Sequence, residues 1–302
     1  MNRTSDRGDV LRALRAFLPS IVCREVLASR EGLKVARTGL RLQAARRLAR
    51  LGVEHGFSVV IGSESFFPRR DRGKGGWCNG LHEMGRGPGY RNVYVAASAL
   101  LAHQALEAER CGDEMAFGTV LAVPPCCRDF YDRNQDAAAR VQNDFVPMTT
   151  AVPVARPSAL LNLGAQYFDA SLVSHFPCSL ACEPSISLAR ANARLVASYD
   201  RTWLRDMLAR MNRATLYTEY EGVFLLAQRR THAVGDVVYT PDSTLGTARG
   251  RFERALACGS RIRISGEERV EVLRGDVTVA TLRAKNLRLF APVESTVAEA
   301  IA

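Results

Sequence analysis

The sequence predicts an α+β protein, with a mainly helical N-terminal domain that contains a few short strands and a small β-rich C-terminal unit. Apolar residues recur at helical spacing through most of the first two hundred positions, and from about residue 215 they alternate with polar ones. The length of 302 residues, 47% hydrophobic and 24% charged, suffices for a sizeable core. We therefore predict one domain over residues 1–214 and another over 215–302.

The N-terminal domain begins with helical patterns. Residues 7–30 carry apolar side chains at helical spacing, interrupted by Pro19, which breaks or kinks a helix. The Arg-rich segment 37–50 has interleaved leucines and predicts an amphipathic helix with a solvated basic face. Two short apolar runs, 57–61 and 92–96, predict buried strands, and a helix is expected over 97–110.

Residues 62–91 differ in composition from their surroundings, because they contain eight glycines and several arginines. This density predicts a loop without regular structure. The loop either closes over a site as a flexible lid or is a disordered surface excursion. Cys78 and His82 within it are spaced closely enough to bind a metal ion, although a single Cys/His pair is a weak signal.

The second half of the chain changes from helices to strands. After a proline-containing loop over 144–165, helices are predicted over 184–199 and 201–211. The predicted strands are 221–227, 233–240, 261–265, 269–273, 277–282 and 287–290. Arg274-Gly275-Asp276 predicts a hairpin turn, and 251–258 a short inserted helix.

The net charge of +10 and the isoelectric point near 9.5 raise the possibility of a nucleic-acid partner. The basic residues are almost all arginines spread along the chain, so this partner is an alternative that the sequence does not favour. No run of about 18 apolar residues predicts a membrane span, and the N-terminus lacks the apolar region of a secretory signal. We expect a cytoplasmic protein without a membrane partner.

Four of the eight cysteines fall in two short, proline-marked segments. Cys126 and Cys127 follow Pro124-Pro125 at the start of a helix predicted over 125–142. Cys178 and Cys182 lie beside Glu183-Pro184, where the next helix is expected to begin, so all four cysteines are predicted to occupy helix starts. A thiol in the first turn of a helix ionises more easily, and an ionised sulfur is a metal ligand. The two segments are therefore predicted to form one metal centre.

Iron–sulfur and zinc are the two candidates for this centre. Adjacent cysteines such as Cys126 and Cys127 are not expected to bind one small ion together, whereas a [4Fe–4S] cube offers each sulfur a separate corner. We therefore predict a [4Fe–4S] cluster held by the four cysteines, with zinc as the alternative. A third possibility is that the cysteines are buried thiols without a metal.

Four residues beside the cysteines are candidates for catalysis. His175 is the first candidate for acid–base chemistry and Glu183 the second, although Glu183 also suits the stabilisation of its own helix N-terminus. Arg128 could bind an anionic substrate that Asp129 orients. The predicted function is an iron–sulfur enzyme with lyase, dehydratase or sulfur-transfer chemistry on a small anionic metabolite. The alternatives are a nucleic-acid-associated or RNA-modifying protein and a zinc-stabilised structural protein.

The two cysteine segments also resemble the motifs of an uncharacterised prokaryotic family. Its members carry Pro-x-Cys-Cys followed by His-Phe/Tyr-Pro-Cys-Ser-x2-Cys, which correspond here to Pro124–Cys127 and His175–Cys182. The resemblance covers about residues 115–200. It implies a shared cysteine site, and because no activity is established for that family it implies no substrate.

Overall fold

The predicted α+β class is confirmed by a computed structural model that describes residues 3–68, 82–85, 89–151 and 153–302. The described strands form two antiparallel sheets. The first has four strands in the order β1-β4-β2-β3, which are Ala36–Arg41, Tyr90–Ala96, Ser58–Pro68 and His82–Gly85. Helices surround this sheet in the N-terminal part of the chain.

The helices of the N-terminal part follow the predicted pattern in most places. They are α1 (Arg3–Arg15), α2 (Ser20–Arg30), α3 (Leu42–His55), α4 (Ala99–Arg110), α5 (Glu114–Val120), α6 (Pro125–Ala139), α7 (Val146–Thr149), α8 (Glu183–Tyr199) and α9 (Arg201–Met211). The break at Pro19 lies between α1 and α2, as predicted. Residues 144–165 contain α7 and two 3₁₀ helices, Ala159–Leu161 and Leu163–Phe168, so the prediction of an extended loop there is wrong.

The Arg-rich segment 37–50 is only partly helical, because its first residues belong to β1. This strand pairs with β4, with Ala36 opposite Val95. At Gly39 a Cβ atom would lie 2.7 Å from Cζ of Phe66, so the missing side chain lets the aromatic ring cross the strand. Tertiary pairing therefore overrides the local helical pattern until Leu42, where α3 begins.

The predicted loop over 62–91 is shorter than expected. Strand β2 continues to Pro68, where it pairs with β3, and β4 begins at Tyr90. The prediction that this segment has no regular structure is therefore wrong at its ends. Residues 69–81, which include Cys78, and 86–88 lie outside the described residues, as does the side chain of His82.

The second sheet has seven strands in the order β10-β9-β8-β7-β6-β5-β11. They are β5 (Ala214–Tyr217), β6 (Val223–Ala233), β7 (Asp236–Gly246), β8 (Arg261–Gly266), β9 (Arg269–Arg274), β10 (Val277–Arg283) and β11 (Arg288–Phe290). The predicted hairpin turn is confirmed: Val277 pairs with Arg274, and Gly275 has a positive φ of 60°. Helix α10 (Arg251–Cys258), which was predicted, packs on this sheet. Strand β5 was not predicted.

The largest hydrophobic core draws buried residues from α1, α2, α3, α8, α9 and the first sheet. Cys127 and Cys182 are part of it, and so is Ala300 of the terminal helix α11 (Val297–Ile301). The cysteine segments therefore border the main core of the protein. Among the described helices, none is both long and apolar enough to cross a membrane.

Candidate metal centre

The first cysteine pair is positioned by the start of α6. Pro124 is the N-cap residue, and Pro125 occupies the first turn, where a missing N–H does not interrupt the helix. The carbonyl oxygen of Pro124 accepts a hydrogen bond from the N–H of Cys127 at 2.9 Å. Cys126 and Cys127 therefore lie in the first turn, as predicted, with Cys127 buried and Cys126 half-buried.

The second pair is positioned by a loop that leads into α8. Cys182 is the N-cap residue of α8, while Cys178 lies in the loop four residues earlier. The prediction that Cys178 also occupies a helix start is therefore wrong. The loop is fixed by Thr149, whose hydroxyl donates to the carbonyl of Pro177 at 2.8 Å, and by Phe176, which stacks on Phe145 with ring centroids 5.4 Å apart.

The four sulfur atoms converge on one point. The Sγ atoms of Cys126 and Cys127 are 3.9 Å apart, and both approach Sγ of Cys182, at 3.7 and 3.6 Å. All four ligand atoms, including Sγ of Cys178, lie within 4.8 Å of one another. The predicted convergence of the four cysteines is confirmed, and the group could hold a metal ion, because the first turn of α6 brings the sulfurs of both adjacent cysteines to the same side.

The thiols of this group differ in how easily they ionise. Burial raises the pKa of Cys127 and raises the pKa of Cys178 to about 11. Burial also opposes ionisation of Cys182, but hydrogen bonds from the hydroxyl and the backbone N–H of Ser185 outweigh it, so the pKa of Cys182 is lowered. Of these three thiols Cys182 is therefore the best prepared to bind a cation, and Cys127 and Cys178 gain most from a metal that displaces their protons.

Ser185 and His175 connect the cysteines to the interior. The hydroxyl of Ser185 lies 3.3 Å from Sγ of Cys127 and 2.9 Å from Nε2 of His175. Burial, followed by the nearby charge of Lys34, lowers the pKa of His175 to about 3, so its imidazole is neutral near pH 7. The sequence did not assign a role to Ser185; its signal was its position three residues after Cys182.

A buried ionic cluster of Arg24, Glu25 and Lys34 lies near His175. Glu25 pairs with Arg24 at 2.5 Å and with Lys34, and all three residues are less than 9% exposed. Lys34 also donates through Nζ to the hydroxyl of Ser174 at 2.8 Å. Two cations and one anion give this cluster an excess positive charge, a feature that the sequence did not predict.

The other predicted site residues lie at the surface or bind elsewhere. The guanidinium of Arg128 donates to the carbonyl oxygen of Met115 at 3.1 Å and to the hydroxyl of Thr119, so it is engaged with α5. Asp129 is exposed on α6, and Glu183 is exposed in the first turn of α8, where its charge suits the helix N-terminus. The catalytic roles of His175, Glu183 and Asp129 and the substrate contact of Arg128 stay predictions.

Comparisons of this chain with protein-family models, with curated proteins and with solved structures found no match. The resemblance of the two cysteine motifs to an uncharacterised family is therefore still an expectation.

Proposed function

We propose that this protein is a metalloprotein in which Cys126, Cys127, Cys178 and Cys182 bind one tetrahedral metal ion, with zinc as the ion that fits best. The sulfur spacing carries this proposal. A Zn–S distance of about 2.3 Å places the sulfurs of a tetrahedral site about 3.8 Å apart. The three measured separations of 3.6–3.9 Å lie close to that value.

The role that suits such an ion is structural. Four protein ligands close the coordination sphere of zinc, whereas a catalytic zinc keeps one position open. The ion would connect the start of α6 to the start of α8, whose ligands are about fifty residues apart in the chain. Cys127 and Cys182 also belong to the main core, so metal binding would stabilise the packing of both helices there.

A [4Fe–4S] enzyme is the second candidate, and one observation favours it. Cys126 and Cys178 are half-exposed, so a cluster bound here would be reachable by a small anionic substrate or an electron donor. The N-terminus of α6 also suits an anionic cluster. Because the irons of the cube are separate corners, the sulfurs would have to move apart to receive it. His175, which contacts Cys127 through Ser185, would be the candidate for acid–base chemistry at this centre.

Metal analysis separates the two candidates. We would purify the protein anaerobically and measure zinc, iron and acid-labile sulfide, together with the absorbance of the protein. One zinc per chain without sulfide supports the first proposal, whereas iron with matching sulfide supports the second.

The matched variants are Cys178→Ala with Cys182→Ala, which should lose the metal, and Cys23→Ala, which should keep it. Cys23 is buried in the same core, and its thiol donates to the carbonyl of Leu18. A wild-type protein that takes up neither metal, even after reconstitution, would refute both candidates.

A further inference from the structure

We propose that Ser185 and His175 form a hydrogen-bond relay that stabilises the metal-bound sulfurs, in which Nε2–H of His175 donates to the Ser185 hydroxyl and this hydroxyl donates to Sγ of Cys127. The inference rests on the proposed function, because it concerns the thiolates that a metal ion creates. It makes Ser185 and His175 positioning residues for the metal centre.

The direction of the relay follows from counting protons. A metal-bound thiolate carries no proton, so Cys127 can only accept a hydrogen bond from Ser185. A serine hydroxyl has one proton, and once it is donated to sulfur the oxygen can only accept from His175, 2.9 Å away. The imidazole must therefore carry its proton on Nε2 when the metal is bound.

Further donors point at the sulfurs of the two buried cysteines, Cys127 and Cys182. The N–H of Cys178 donates to Sγ of Cys127 at 3.4 Å, and Cys182 receives a hydrogen bond from the backbone N–H of Ser185. Cys127 and Cys182 thus collect several donors, which spread the negative charge of the thiolates over protein dipoles. Ser185→Ala removes the hydroxyl that supports Cys127 and keeps the backbone donor to Cys182, so the variant tests the relay alone.

Burial, followed by the positive charge of Lys34, keeps the imidazole of His175 neutral. Lys34 is fixed through its bonds to Glu25 and Ser174. A neutral imidazole holds a single proton, so the relay specifies its tautomer, with the proton on Nε2. Ser174, which binds Lys34, directly precedes His175 in the chain, and His175 contacts Ser185 beside Cys127.

The first test measures Zn²⁺ affinity by competition with a chromophoric chelator. We expect Ser185→Ala to bind Zn²⁺ about 10–100-fold more weakly, as for other residues that support metal ligands. Ser185→Thr keeps the hydroxyl and should retain most of the affinity. Ser187→Ala, on the exposed face of the same helix, should match the wild type. Equal affinities for Ser185→Ala and the wild type would overturn the proposal.

The second test needs no variant. In the Zn²⁺-loaded wild-type protein, long-range ¹⁵N–¹H correlation spectra identify the tautomer of each histidine, and His175→Gln assigns the signal. We expect the proton on Nε2; a proton on Nδ1 would overturn the relay. His175→Gln, which retains an N–H donor, should also lose less Zn²⁺ affinity than His175→Leu.

The outcome for the relay can be distinguished from the outcome for the metal. If the wild type binds zinc and the variants behave alike, only the relay is wrong. If the wild type holds an iron–sulfur cluster instead, Ser185→Ala should lower its reduction potential, because a lost donor disfavours the more negative, reduced state; an unchanged potential would overturn the relay. A wild type that binds neither metal refutes both proposals.

Discussion

The ionic cluster of Arg24, Glu25 and Lys34 and the four-cysteine group are two polar groups of the N-terminal two thirds of the chain. The ionic cluster contains one counter-charge, Glu25, which contacts both cations and leaves a net positive charge. The cysteine group has no internal counter-charge, and burial keeps Cys127 and Cys178 protonated. The first group is held together by its own ion pairs, whereas the thiols of the second group would ionise more readily beside a bound cation.

This difference separates a structural feature from a binding site. The cations of the ionic cluster cannot be exposed to water, so folding depends on Glu25 at all times. The cysteines tolerate the metal-free state as neutral thiols, which are ordinary core residues. Substitutions in the two groups should therefore affect different measurements: intrinsic stability for the first and metal-dependent stability for the second.

The largest effect is expected for Glu25→Gln, which leaves Arg24 and Lys34 buried without an anion. The free energy of unfolding should fall by about 3–5 kcal/mol, with or without added metal. Urea unfolding measures it. Glu31→Gln, at the C-cap of the same helix, is the control, because Glu31 is exposed and its ion pairs with Arg7 and Arg30 are 3.7 Å long. An equal loss of unfolding free energy in Glu25→Gln and Glu31→Gln would contradict the structural role of the buried cluster.

The next effect is the loss of metal-dependent stability in Cys127→Ala with Cys182→Ala. At a free metal concentration a thousand times the Kd, binding should stabilise the wild type by about 4 kcal/mol. Thermal unfolding with and without Zn²⁺ measures this gain, which should vanish in the double variant. Cys23→Ala should lower the stability of the core yet keep the response to metal. If Zn²⁺ still stabilised the double variant against thermal unfolding, the metal would bind elsewhere in the protein.

The third effect is a pH dependence of the free energy of unfolding, which arises from His175. The folded-state pKa of about 3 lies below the usual value of 6.5, so the unfolded chain takes up a proton that the folded protein does not. The resulting stability is complete above pH 6.5 and decreases as the pH falls towards 3, by about 1.4 kcal/mol per unit. At pH 4 the loss of unfolding free energy amounts to about 3 kcal/mol.

Urea unfolding of the metal-free protein between pH 4 and pH 7 measures this dependence. His175→Gln should give a flatter curve, because glutamine does not titrate. Parallel curves for the variant and the wild type would show that His175 takes up its proton equally in the folded and the unfolded state.

The smallest effect is expected for Arg128→Ala. Its guanidinium binds α5 through Met115 and Thr119, so the variant should lose about 1 kcal/mol of unfolding free energy. Its metal content should equal that of the wild type. A loss of metal or of Zn²⁺ affinity would show that Arg128 supports the metal centre.

The sequence by itself determined the local features of this protein. Helical spacing and proline positions located α6, α8 and α9, and Arg274-Gly275-Asp276 located a hairpin turn. The same local signals predicted Cys126, Cys127, Cys178 and Cys182 as one group. Apart from the grouping of the two cysteine segments, which followed from their shared composition, these features depend on residues a few positions apart, for which backbone propensity and side-chain periodicity decide the outcome.

Only the tertiary structure decided which distant groups meet. Strand β1 replaced the start of a predicted helix because β4 offers it hydrogen bonds. The spacing of the four sulfurs, the contact of Ser185 with His175 and the burial of Lys34 beside Glu25 all depend on how α2, α6 and α8 pack. Such contacts join residues far apart in the chain, and their geometry is set by the shape of the core rather than by any local pattern.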